Sequence, residues 1–86
     1  MFYVYVLKSK KDEKLYIGYT NDLKRRIQEH NSAHTRSIKS RLPFTLVYYE
    51  AYHSLQDARI REERLKQFKN SYTELKKRIR HSLNEI

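Results

Sequence analysis

Tyr5, Tyr16, Arg26, His30 and Glu62 are the side chains of this sequence whose types and spacing suit chemistry on a phosphate ester. A phenol takes a proton from water only when nearby cations or a metal lower its pKa from about 10. A guanidinium matches the charge of a phosphate, and an imidazole can move a proton near neutrality. One carboxylate suffices to hold magnesium when phosphate oxygens and water complete its shell. Each residue also has a purely structural reading. Tyr5 and Tyr16 could simply pack in a sheet. Arg26 could pair with Glu62 or Glu50, Glu62 could pair with Arg26, and His30 could be a satisfied histidine at the edge of the core. His34, His53 and His81 have no metal-ligand spacing, and the chain contains no cysteine to form a thiolate site or a disulfide.

The elements that must position these residues follow from the hydrophobic pattern. Phe2-Tyr3-Val4-Tyr5-Val6-Leu7 predicts a strand with both faces apolar, hence a central one. Lys8 to Lys14 is a charged turn, and Leu15 to Tyr19 returns as the second arm of a hairpin. Gly18, the only glycine, marks a close backbone approach or a positive φ. Thr20 or Asn21 caps a helix with Asp22 in its first turn, and Leu23, Arg26, Ile27 and His30 share one face. Lys24, Arg25, Gln28 and Glu29 occupy the other. Residues 31–42 are polar and aperiodic, and Thr45 to Glu50 reads as a third strand.

Ser54 and Asp57 open a second helix running to about Phe68, with Leu55, Ala58, Glu62, Leu65 and Phe68 turned inward. Ser71 and Glu74 look like the cap of a last helix, with Tyr72, Leu75, Ile79 and Leu83 at helical spacing. Tyr48, Tyr49, Tyr52 and Tyr72 read as packing residues. The order β-β-α-β-α-α predicts an α+β domain, a three-stranded antiparallel sheet flanked by helices, spanning residues 1–86 as one unit with its core in 2–68 and a basic C-terminal helix over about 71–84.

Charge narrows the partner. Nineteen Lys and Arg against ten Asp and Glu give a net charge of +9. The excess concentrates between Arg59 and Arg80, with nine basic and three acidic side chains, and between Asn21 and Leu42, with six and two. A polyanion, nucleic acid above all, suits such a surface. The apolar run from Phe2 to Leu7 is too short to cross a bilayer and lacks the basic lead-in of a signal peptide, so no membrane partner is expected and the cytoplasm is the expected location.

Several of these segments together resemble the GIY-YIG nuclease family. Tyr3-Val4-Tyr5 is similar to the GIY element, with tyrosine for the first glycine, and Tyr16-Ile17-Gly18 matches YIG. The run from Tyr16 to His30 resembles the family's strand-to-helix segment ending R-x-x-x-H. Arg41-Leu42-Pro43-Phe44 before a strand and Ala58 to Glu62 in the next helix add to the likeness, which covers Phe2 to Phe68. The look is that of small single-domain members, akin to the nuclease domain of the bacterial excinuclease C subunit.

The resemblance implies a domain that cuts DNA phosphodiesters, duplex or branched, with one divalent ion, Mg²⁺ or Mn²⁺. By that analogy Tyr16 is the general base or activates the attacking water, and Tyr5 helps place it. Arg26 stabilises the scissile phosphate, His30 assists proton transfer, and Glu62 holds the metal. Backbone contacts are expected from Lys24, Arg25, Arg36, Lys39, Arg41, Lys76, Lys77 and Arg80. No second DNA-binding domain is expected, so specificity would come from substrate shape, the His34-to-Arg41 loop or a partner protein, with the chain expected to be a monomer or weak dimer. The rival expectation is a non-catalytic nucleic-acid-binding module on the same fold.

Overall fold

Unbroken burial of Val4, Tyr5, Val6 and Leu7 along the first strand explains the layering of the whole chain. In the computed structural model, which describes residues 1–32 and 42–85, β1 (Phe2–Ser9) is flanked by β2 (Leu15–Thr20) and β3 (Phe44–Tyr52) in an antiparallel sheet of order β2-β1-β3. The helices are α1 (Leu23–Asn31), α2 (Leu55–Gln67), α3 (Lys69–Arg78) and α4 (Arg80–Asn84). Val4 and Val6 turn to one face, where Ile17, Ala58, Leu65, Leu75 and Ile79 join them. Tyr5 and Leu7 turn to the other, against Phe44, Tyr16, Leu23 and Ile27. Successive strand side chains point to opposite faces, so a central strand apolar at every position carries a core on each side. The sheet lies between α1 and the helices α2 and α3. Among the described residues no helix is long and apolar enough to cross a membrane.

The hairpin turn is closed by Ser9, a fully buried residue whose hydroxyl accepts from the backbone N–H groups of Lys11 and Asp12 at 3.2 and 3.3 Å. The cap of α1 is Asp22, whose carboxylate accepts from Arg25 N at 3.1 Å, rather than Thr20 or Asn21. Thr20 instead receives the Asp22 N–H at 3.1 Å, fixing the approach to the helix. Ser54 caps α2 as expected. On α2 the inward positions Ala58 and Leu65 are buried, but Leu55 and Phe68 are 41% and 57% exposed. The helix face is right and its two ends overhang the sheet.

The last helix departs further from the sequence expectation. It begins at Lys69, directly after Phe68, whose extended backbone separates it from α2, and no side chain caps it. Ser71 and Glu74 therefore lie inside α3. A break at Ile79 (φ −107°, ψ 23°) divides the expected single segment into α3 and α4 while keeping Leu75 and Ile79 in the core.

A polar cluster sets the rotation of α2 on the sheet. Arg61 grips Glu50 of β3 with both arms of its guanidinium, Nε to Oε1 at 2.9 Å and Nη2 to Oε2 at 3.0 Å. Tyr48 donates to the same carboxylate at 2.6 Å, and Tyr52 donates to its other oxygen. Tyr48 and Tyr52 thus do more than pack. Burial alone would raise the Glu50 pKa, but the hydrogen bonds from Arg61, Tyr48 and Tyr52 outweigh it and hold the carboxyl below its ordinary value. Because consecutive helical residues diverge by about 100°, anchoring Arg61 on β3 leaves Glu62 aimed past the sheet edge.

Candidate active site

The free edge of β2 is where the two helical layers come closest to a shared opening. There an open cleft is lined by Tyr5, Tyr16 and Gly18 from the sheet, Arg25, Arg26 and Glu29 from α1, and Glu62 and Lys66 from α2. Tyr5, Tyr16, Arg26 and Glu62, chosen on sequence alone, meet at this one place. His30 lies behind them instead of in the cleft.

Gly18 explains how Tyr5 reaches the edge from a central strand. The two residues are register partners across β1 and β2. A Cβ on Gly18 would lie 2.3 Å from the Tyr5 hydroxyl oxygen and 2.6 Å from Cζ, so the phenol occupies the space that a side chain would need. Gly18 has no positive φ. Of the two reasons the sequence offers for a glycine here, close approach is the operative one.

The Tyr5 hydroxyl is held from two sides. Arg26 Nε donates to it at 3.4 Å, and His30 Nε2 lies 3.1 Å away. His30 is 4% exposed and its Nδ1 is buried without a partner. A buried N–H without an acceptor is rarer than an unused lone pair, which puts the imidazole proton on Nε2, donating to Tyr5. The phenol oxygen then accepts two N–H groups and its own proton is directed into the cleft. Burial, and then the Arg26 charge, lower the His30 pKa and keep the ring neutral. Burial raises the Tyr5 pKa despite the hydrogen bond and charge of Arg26, so this group stays a phenol near neutrality. Tyr5 is thereby suited to orienting a ligand and unsuited to acting as a base.

Tyr16 is half-buried beside the same imidazole, its ring edge-on to His30 at 4.7 Å and tilted to Phe44 at 6.1 Å. No described residue hydrogen-bonds its hydroxyl. Phe44 is itself fixed by Asn31, whose side-chain amide accepts from Phe44 N at 2.8 Å and donates to Phe44 O at 3.1 Å. His30 and Asn31 at the end of α1 thus clamp the ring packing under both tyrosines, a role for Asn31 that helical spacing alone does not reveal.

Arg26 pairs with neither Glu62 nor Glu50. It contacts Tyr5 and, at 3.8 Å, Glu29 of its own helix. That hydrogen bond from Arg26 to Tyr5 and the Glu29 charge keep the guanidinium firmly protonated. Its side chain remains 42% exposed, leaving N–H groups free for an anion. Arg25, on the helix face read as solvent-facing, also lines the cleft with 63% of its side chain exposed. Glu62 is only 13% exposed at its side chain and pairs with Lys66, one helical turn on, at 3.0 Å. The i, i+4 spacing of Glu62 and Lys66 was legible in the sequence, yet Lys66 is a cleft residue that reasoning from charge alone passes over.

Among the described residues no group of three or more His, Cys, Asp and Glu side chains forms a metal cage. Glu62 nevertheless fits the single-carboxylate mode of magnesium binding, in which substrate oxygens and water supply the remaining ligands. Of the other basic residues expected to meet nucleic acid, Lys24, Lys76, Lys77 and Arg80 are exposed and do not line the cleft. Lys76 lies 4.8 Å over the Tyr72 ring, and Lys77 pairs with Glu74 at 3.6 Å. Arg36, Lys39 and Arg41, with the His34-to-Arg41 loop, lie outside the described residues.

Comparison with known proteins places the chain in a family. Residues 1–80 match the GIY-YIG catalytic domain. A UPF0213 protein of Clostridium perfringens is 43% identical over 67 residues, which cover 77% of this chain and 71% of the relative. A UPF0213 protein of Haloquadratum walsbyi is 40% identical over 76 residues, covering 87% of this chain and 80% of the relative. The solution structure of the UPF0213 protein BH0048 from Bacillus halodurans is 36% identical, with a TM-score of 0.54 over 87% of this chain and 81% of that one. A family match over residues 1–80 and relatives at 40% and 43% identity across most of the chain show that the chain belongs to the GIY-YIG family, whose domain implies a nuclease acting on nucleic acid.

Proposed function

We propose that this protein is a divalent-metal-dependent endonuclease that hydrolyses DNA phosphodiester bonds. The observation that carries the reading is the convergence of Tyr5, Tyr16, Arg26 and Glu62 on one open cleft at the free edge of β2. Glu62 is the residue that would hold Mg²⁺ or Mn²⁺, which when bound supplies Lewis acidity at the scissile phosphate. Arg26 offers its exposed guanidinium N–H groups to the non-bridging oxygens, where negative charge develops. Tyr16, its hydroxyl unengaged, takes the proton of the attacking water. Tyr5 stays protonated and donates a hydrogen bond that orients that water. His30 acts through Tyr5 as a positioning residue, since it is buried behind the cleft and neutral.

In this reading the substrate is duplex DNA with a branched, flapped or damaged feature, as in repair, and the enzyme works in the cytoplasm as a monomer or weak dimer. The charge excess of α2 and α3 supplies sequence-independent backbone contacts, and a partner protein adds specificity. The deciding experiment is cleavage of labelled duplex, single-stranded, flapped and branched DNA with Mg²⁺, with Mn²⁺ and with chelator. Metal-dependent cutting by the wild type should fall by roughly a thousandfold in Glu62→Gln, the several kcal/mol that a metal contributes to the transition state. Salt-sensitive binding without cutting in both proteins would replace the enzyme with a binding module on the same fold.

A further inference from the structure

Both carboxylates of the cleft are covered by cations of the same cleft. Glu29 has Arg25 at 4.0 Å and Arg26 at 3.8 Å, and Glu62 has the Lys66 ammonium at 3.0 Å. The Glu62–Lys66 pair is asymmetric, with side chains 13% and 50% exposed. The carboxylate is the more buried partner, on a helix turn that Arg61 anchors to Glu50. The ammonium reaches in from solvent on a flexible four-carbon stem. Such a contact is weak enough to exchange, since i, i+4 pairs contribute little to helix stability. An ammonium on Glu62 Oε2 and a divalent cation on the same oxygen exclude each other by volume and by charge.

We propose that Lys66 is an exchangeable latch on Glu62, released to a phosphate of the bound DNA strand, so that metal and DNA load together. This rests on the nuclease reading above and adds its order of assembly. Without DNA the ammonium shields the carboxylate and keeps the site's metal affinity low. A strand in the cleft offers Lys66 a phosphate in place of Glu62, which frees Oε2. By reciprocity of linked binding, metal in turn favours DNA.

The test uses the ¹⁵N-labelled full chain titrated with Mn²⁺ alone, read by paramagnetic broadening of the backbone amides of residues 61–63. A monovalent and a divalent cation about 6 Å apart in water repel enough for a roughly tenfold effect, reduced by salt. Lys66→Met should therefore tighten Mn²⁺ binding by about threefold to tenfold. Lys66→Arg should restore wild-type affinity, and Glu62→Gln should lose the localised broadening. Adding a short phosphorothioate duplex should tighten Mn²⁺ binding more in the wild type than in Lys66→Met. A pair that merely supports the helix would alter melting and leave the Mn²⁺ midpoint alone. Equal midpoints in wild type and Lys66→Met overturn the latch even if the wild type cuts DNA. A shifted midpoint with no cleavage overturns the nuclease reading and leaves the latch. No localised broadening in any of the proteins overturns both.

Discussion

Replacing Gly18 by alanine tests the central geometric claim, that a missing side chain on β2 makes room for the Tyr5 phenol. The new Cβ would fall 2.3 Å from the hydroxyl oxygen, 2.6 Å from Cζ and 3.2 Å from Cε1. Tyr5 cannot yield cheaply. It is 1% exposed, a rigid ring on a central strand, and its hydroxyl is gripped by His30 and Arg26. Overpacking of this kind costs about 1–3 kcal/mol. The glycine itself is a poor strand residue, and losing its freedom in the unfolded chain returns about 0.5–1 kcal/mol. At the middle of both ranges the net destabilisation is about 1.3 kcal/mol, which in a chain of this size lowers Tm by about 5–10 °C. Urea and thermal unfolding measure it directly.

Tyr5→Phe in the same series separates the contacts. Removing the oxygen relieves the shortest approach but leaves Cζ, so Gly18→Ala should cost less in the phenylalanine background by at least about 0.5 kcal/mol. An unchanged or raised Tm in Gly18→Ala, or strict additivity with Tyr5→Phe, would refute the close-approach argument.

Two further predictions concern pH and the anchor of α2. His30 has a folded pKa lowered by burial and Arg26, so its contribution to stability is complete above the unfolded value of about 6.5 and is lost as pH falls below it. Urea midpoints should therefore drop as pH falls below about 6.5 in the wild type and stay flatter in His30→Gln; equal slopes would contradict the assignment of a neutral buried ring. Glu50 is also depressed, so its stabilisation holds above its unfolded value of about 4.3 and disappears as pH falls through the lower folded value. Glu50→Gln should remove that acid limb and destabilise by about 1–3 kcal/mol at neutrality, because it leaves the Arg61 charge without its carboxylate. A loss under 0.5 kcal/mol, by the same unfolding assay, would mean that the cluster does not fix α2.

What the sequence revealed and what it hid divide along a physical line. The hairpin, α1 and its inward face were legible because period-2 and period-3.6 patterns are local. So was the meeting of Tyr5, Tyr16 and Arg26, which sit on consecutive elements. The errors arose where local signals compete with tertiary reach. Ser71 and Glu74 carry the spacing of a cap, but α3 begins three residues earlier, straight after the extended Phe68 that ends α2, with Tyr72 and Leu75 packed on the core. Leu55 and Phe68 have the right phase, yet periodicity does not say how far a three-stranded sheet extends beneath a thirteen-residue helix. The partner of Arg26 was unreadable for a related reason. Glu62 and Arg26 approach the cleft from opposite layers, and each is satisfied first by a charge on its own helix, Lys66 and Glu29.

The same division between layers explains why the site lies at a sheet edge. Arg26 belongs to the layer packed on Tyr5 and Leu7, whereas Glu62 belongs to the layer packed on Val4 and Val6. Two groups on opposite faces of a sheet can act on one phosphate only where the sheet ends. β2 is an outer strand, so the two layers can reach one another around it. Gly18 then lets a phenol from the inner strand extend over that edge, and Tyr16 comes from the edge strand itself. A fourth strand, added beyond β2, would bury the opening, and a side chain at Gly18 would withdraw Tyr5 from it. The unpaired edge that most sheets must protect is here a line along which residues of both cores can meet one ligand without opening either core.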